Sequence, residues 1–150
     1  MSSKAIEKNK ILAESGVDCL LLCADYCYNS GPFISPQMFE EYIQPYLFKI
    51  IDEAKRDGLY TIKHTDGNIM PILNQLVECR PHGLHSIDPM ADVDIKGASF
   101  FTSVYKIDIN VLCTLPLSAV GGVKVRAPCR RLKPAITKRI FHIGYPLCHL

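Results

Sequence analysis

Three short apolar runs alternate with helical patterns along the first two thirds of the chain, and each run ends at an acid. The first, Val17-Asp18-Cys19-Leu20-Leu21-Leu22-Cys23-Ala24, stops at Asp25. The second, Leu59-Tyr60-Thr61-Ile62-Lys63-His64, leads to Asp66, and the third, within His82–Ile87, leads to Asp88. Runs of this length, nearly continuous in apolar character, suit strands buried on both faces of a parallel sheet. Parallel strands need crossovers, and the segments between them supply helices. The order is therefore α-β-α-β-α-β, the rhythm of a (β/α) barrel or a doubly wound sheet. In either architecture the crossovers are right-handed and all three strand ends lie on one rim. Three carboxylates on one rim form either a solvated loop edge or a shared active-site mouth.

The intervening segments carry their own signals. Residues 5–14 read as a short helix ending before Gly16. Ser35-Pro36 starts a second helix, with Ser as cap and Pro in the first turn. Phe39, Tyr42, Ile43, Tyr46, Leu47, Ile50, Ile51 and Ala54 then follow helical spacing, and Pro45 kinks or splits the helix. Gly58 is a terminator. Asn68 caps a third helix, whose apolar face is Ile69, Ile72, Leu73, Leu76 and Val77. Residues 91–97 begin something helical that is cut short. After Gly97 the rhythm fails. Residues 100–112 have room for a strand, and the remainder, with Pro116, Pro128, Pro134 and Pro146, shows no helical stripe.

Charge divides the chain in the same place. Residues 1–108 hold fifteen acids against ten basic residues, whereas residues 109–150 hold seven basic residues and no acid. The expected organisation is a body over 1–97 and a basic, Pro/Gly-containing tail over 98–150. A basic tail is either an arm for an anionic surface or nucleic acid or the product of a shifted reading frame. It lacks clustered charge, which argues against nucleic acid. Translating the DNA after codon 97 in the other two frames tests the second idea. The seven cysteines are an odd number, and the polar, acid-bearing start is no signal peptide. Reduced thiols in a cytoplasmic protein are expected, with no membrane span.

The run His64-Thr65-Asp66-Gly67-Asn68 is the best candidate site. Residues two apart on a strand project from the same side, so His64 and Asp66 offer two proton carriers or metal ligands where a Gly lets the chain turn. Its bland alternative is a hydrogen-bonded pair that shapes the rim.

Taken in order, Gly16-Val17-Asp18, Asp25-Tyr26, Gly31-Pro32-Phe33-Ile34-Ser35-Pro36, Phe39-Glu40-Glu41-Tyr42-Ile43-Gln44-Pro45-Tyr46-Leu47, His64–Asn68 and Gly83-Leu84-His85-Ser86-Ile87-Asp88-Pro89 resemble the uroporphyrinogen decarboxylase superfamily. The resemblance covers about residues 5–97. It implies part of a (β/α)8 barrel, about three β/α units followed by an irregular tail. A full barrel takes about 250 residues, and a half barrel exposes the sheet edges that closure would hide, so the chain is expected to be unstable, aggregated, or completed by another chain.

Two activities follow from the resemblance: a cofactor-free decarboxylase of porphyrin and haem biosynthesis, and a zinc-dependent methyltransferase acting with corrinoid proteins. In the methyltransferases the matching strand ends in His-x-Cys, and both residues bind zinc. Here His64 matches and Asp66 replaces the Cys, which leaves a harder, possible zinc half-site. The third family ligand is a late Cys, to which Cys113 is nearest in order. Asp25, His64 and Asp66 are the catalytic candidates. Tyr26 and Asp88 are the substrate-binding candidates, with a small-molecule porphyrinogen or methyl donor as the ligand; Asp88 before Pro89 is equally a turn former. A non-catalytic binding module is the remaining class. His85, sharing parity with Ile87, is expected against the helix layer, and His82 in a loop. Cys148-His149 has no partner pattern. Cys19 and Cys23 are expected as buried hydrophobes, and Tyr42, Tyr46 and Phe48 as packing residues.

Overall fold

The computed structural model describes residues 2–94, residue 97, and two strands at 108–111 and 140–144. Expectations for the rest of the tail, Cys113 and Cys148-His149 among them, lie outside the described residues. So do residues 95 and 96 of the segment 91–97.

The chain opens with helix α1 (Ser2–Glu14) and strand β1 (Cys19–Cys23). A small antiparallel hairpin follows, β2 (Cys27–Tyr28) and β3 (Gly31–Pro32). Helices α2 (Pro36–Tyr42) and α3 (Gln44–Arg56) lead to β4 (Tyr60–His64). A 3-10 turn at Met70–Ile72 runs into α4 (Leu73–Glu78), and β5 (Gly83–Ile87) and a turn at Pro89–Ala91 close the continuous part. Strands β6 (Asp108–Val111) and β7 (Ile140–Gly144) complete the set among the described residues.

Five strands form one parallel sheet in the order β6-β5-β4-β1-β7. From β1 through β4 and β5 to β6, strands consecutive along the sheet are neighbours, with helices on the crossovers from β1 to β4 and from β4 to β5. This is the staircase of a (β/α) barrel segment. Beyond β1 lies β7, paired in parallel from Cys19↔Ile140 to Cys23↔Gly144. The sequence reading assigned nothing there. Ile140-Phe141-His142-Ile143-Gly144 is too short to show a period, and each residue's partner is 121 residues away, so only the sheet identifies it as a strand.

The helix boundaries follow from local chemistry. Ser35 Oγ accepts a hydrogen bond from the Met38 N–H at 3.2 Å, which caps α2. Pro45 sits in the first turn of α3, and the break at Ile43 separates two helices that one apolar stripe runs through. The core lies between one face of the sheet and these helices. Leu20, Leu22 and Leu84 from the strands meet Phe39, Leu47, Ile51, Leu73 and Leu76. Burying one such side chain stabilises by about 1.5–3 kcal/mol.

Three expectations about side chains are corrected. Tyr42, Tyr46 and Phe48 are exposed on the outside of α2 and α3 rather than packed; the apolar stripe at helical spacing is wider than the face that the sheet can cover. Cys23 is only half-buried, whereas Cys19 is fully buried as expected. His85 does not face the helix layer. A register irregularity between Leu84 and Ile87 puts both of those residues in the core, so parity with Ile87 misplaces His85. Among the described residues, no helix is long and apolar enough to cross a membrane.

Candidate metal centre

The register of the sheet builds the site. Cys23 pairs with His64 at the carboxyl ends of β1 and β4, and His64 pairs with His85 midway along β5. Alternation sends Leu22, Lys63 and Leu84 to the helix side and the next rank, with His64 and His85, to the opposite face. Two residues further on, Asp25 and Asp66 project from the same side as Cys23 and His64.

Past the last strand residues, side chains continue the backbone ladder. The Asp66 N–H donates to Asp25 Oδ1 at 3.2 Å, and the Tyr26 N–H donates to Thr65 Oγ1 at 3.0 Å. These two bonds tie the exits of β1 and β4 together. Gly67 then turns with φ +81°, and a Cβ there would lie 2.6 Å from the Tyr28 carbonyl oxygen and 2.7 Å from that of Cys27. Asn68 N–H bonds the same Tyr28 carbonyl at 2.9 Å. The hairpin is therefore seated directly on the turn that follows the site, and only glycine permits the approach. The Asn68 side chain accepts from the Met70 N–H at 3.1 Å and starts the next turn.

The result is a convergence of three ligand-type side chains. His64 Nε2 lies 3.7 Å from Asp25 Oδ1 and 3.9 Å from Asp66 Oδ2. One donor atom from each of Asp25, His64 and Asp66 falls within 4.8 Å of the others. Zinc–ligand bonds of about 2.0–2.2 Å place neighbouring donors about 3–4 Å apart, so the set fits a divalent cation after small rotations of two half-exposed carboxylates. Two carboxylates and one imidazole make a hard-to-borderline set, suited to zinc or another first-row divalent ion and lacking a thiolate. Two anions held this close to each other favour a cation between them. The other ring nitrogen of His64, Nδ1, is 2.8 Å from His85 Nδ1.

The sequence had paired His64 with Asp66; the fold brings Asp25 in as the third member. The substrate-binding candidates lie elsewhere. Tyr26 turns its ring to the core, edge-on to Phe39 with centroids 5.1 Å apart, and burial raises the pKa of its phenol. Asp88 Oδ1 accepts from the Met90 N–H at 2.8 Å and so caps the turn at Pro89–Ala91. His82 Nδ1 accepts from the Thr61 N–H at 3.0 Å, at the opposite end of the strands.

Lys63 was missed. It is 1% exposed, on the helix side of β4 directly behind the site. Its ammonium donates to the carbonyls of Leu22 at 3.3 Å, Ala24 at 2.6 Å, and His64, and stands 4.3 Å above the centre of the Tyr26 ring. It thus links the backbone of both strand exits. Desolvation lowers its pKa to about 7, with the Asp25 charge opposing. Its signal in the sequence was the alternation itself, which puts Lys63 and His64 on opposite faces.

Comparison with known proteins agrees with this architecture. A family model described as uroporphyrinogen decarboxylase (URO-D) matches residues 2–109, which hold every residue of the site. No curated protein and no solved structure matches the chain.

Proposed function

The chain belongs to the uroporphyrinogen decarboxylase family, and we propose that it represents the metal-using, methyl-transfer side of it, with Asp25, His64 and Asp66 as ligands of a divalent cation. The observation that carries this reading is the convergence of the three donors within 4.8 Å on one strand-end rim. Zinc is the first choice of ion, because the histidine stands where the resembling methyltransferases keep a zinc ligand. Bound there, the cation supplies Lewis-acid polarisation of a substrate atom.

The chain's own groups set the limits of that chemistry. Asp25 and Asp66 offset the dipositive charge, and His64 adds a neutral donor. Without a thiolate among the ligands, the site is tuned to oxygen- and nitrogen-bearing ligands more than to sulfur. The substrate class is a small molecule presented at the rim, with a methyl donor or a corrinoid protein as the source of the group transferred. Tyr26 and Asp88, committed to the core and to a turn, are not assigned substrate contacts.

The second reading is decarboxylation, which the family's name favours and which calls for no metal. Metal content separates the two. The purified full chain is expected to hold about one zinc per chain after dialysis, and His64→Ala to hold none. A wild-type chain that retains no zinc would sink the metal reading in favour of the decarboxylase one.

A further inference from the structure

We propose that His85 is a positioning residue for this site: through its Nδ1 it selects which nitrogen of His64 is available to a cation, and the two rings exchange tautomers together when the site fills. This rests on the cation reading of Asp25, His64 and Asp66.

The geometry leaves few choices. Parallel pairing of β4 with β5 sets His64 and His85 at the same rank, with ring centroids 5.0 Å apart and planes inclined at 39°. Their two Nδ1 atoms are 2.8 Å apart, a hydrogen-bond distance between atoms of the same kind. A neutral imidazole carries one N–H and one lone pair. Two lone pairs facing each other, or two N–H groups, would repel at that distance, so one proton lies between the rings. The tautomer of His64 therefore dictates that of His85.

Two arrangements satisfy this rule. In the first, His64 is protonated at Nε2, the nitrogen facing Asp25 and Asp66 at 3.7 and 3.9 Å, and His85 donates from Nδ1 to His64 Nδ1. Two facing carboxylates favour an N–H over a lone pair, so this is the cation-free state. A cation needs the Nε2 lone pair instead. In that second arrangement His64 donates from Nδ1 to His85 Nδ1, and His85 is protonated at Nε2. Histidines that bind metals characteristically donate their other N–H to such a partner. Passing from the first to the second, the proton between the rings shifts from His85 to His64. His64 Nε2 releases a proton and His85 Nε2 takes one up, so the pair neither gains nor loses charge.

The test is ring-nitrogen NMR on the full chain labelled with nitrogen-15 histidine, without zinc and with one equivalent, at a pH where the spectra show both rings neutral. The zinc-free chain is expected to show His85 protonated at Nδ1, and zinc to move its proton to Nε2. If His85 keeps one tautomer while His64 binds zinc, the proposal is overturned. If the wild type takes no zinc, the cation reading fails, and the pair is judged on the zinc-free spectrum, where both rings protonated at Nε2 would overturn it too. Variants give an independent readout. His85→Phe keeps a ring but no acceptor and should weaken zinc binding by about 10–100-fold. His85→Asn, with an amide at the Nδ1 position, should return it to within about threefold of wild type. Equal zinc affinity in His85→Phe and wild type would contradict the assignment.

Discussion

Raising the pH from 7 to 9 should stabilise this protein through Lys63. The ammonium is enclosed by the carbonyls of Leu22, Ala24 and His64 and the ring of Tyr26, and burial takes its pKa from the ordinary 10.5 to about 7. Between those two values the unfolded chain binds more protons at this position than the folded one. Stability contributed here therefore rises with pH, from a full penalty below pH 7 toward none above 10.5. Integrated from pH 7 to 9, the gain is about 2 kcal/mol.

The buried thiols act in the other direction. Burial raises Cys27 from 9.0 to about 11 and Cys79 from 9.0 to about 12, so above about pH 9 the unfolded chain loses thiol protons first and stability falls. Lys63→Met leaves the thiols in place and removes the ammonium. Urea unfolding of both proteins at pH 7 and pH 9, followed by circular dichroism, isolates the lysine. Wild type should gain about 2 kcal/mol more than the variant over this interval. Equal pH dependence in the two proteins would mean that the Lys63 ammonium is not desolvated in the folded chain, and the reasoning would fail.

Other consequences follow from single contacts. Gly67→Ala should lose about 3 kcal/mol, because φ is +81° and the new Cβ would meet the Tyr28 carbonyl at 2.6 Å; a chemical-denaturation curve unchanged by the substitution would contradict the seating of the hairpin. Ser35→Ala removes the cap of α2 and should cost about 1 kcal/mol in the same measurement. Isothermal titration with zinc should show weaker binding in Asp25→Asn and unchanged binding in Asp88→Asn, since Asp88 serves a turn and Asn caps equally well. Weakening by both substitutions would put Asp88 in the site.

Much of the frame was legible because local chemistry and global packing agree. Ser35-Pro36 starts a helix wherever it folds, Pro45 breaks one, and five-residue apolar runs between helices have few places to go but a parallel sheet. The acids at the strand ends marked the rim. What escaped the sequence depends on pairing across the sheet. Asp25 joins His64 and Asp66 only because Cys23 lies opposite His64 in the register. His85 was misplaced because an irregularity after Leu84 breaks the alternation that parity relies on. Lys63 was overlooked because a lysine in a strand is ordinarily solvated, and here three backbone carbonyls and an aromatic face hold it inside. The hairpin at Cys27–Tyr28 and Gly31–Pro32 has strands of two residues, too short for any period, and β7 is defined only by its distant partner.

X-ray absorption at the zinc edge of the full chain loaded with one equivalent tests the central claim most directly. A site made by Asp25, His64 and Asp66 predicts a shell of oxygen and nitrogen at about 2.0–2.1 Å, an imidazole signature from one histidine, and no sulfur. A sulfur shell at about 2.3 Å would show that a cysteine holds the ion and would contradict the assignment of Asp66 and Asp25 as its ligands.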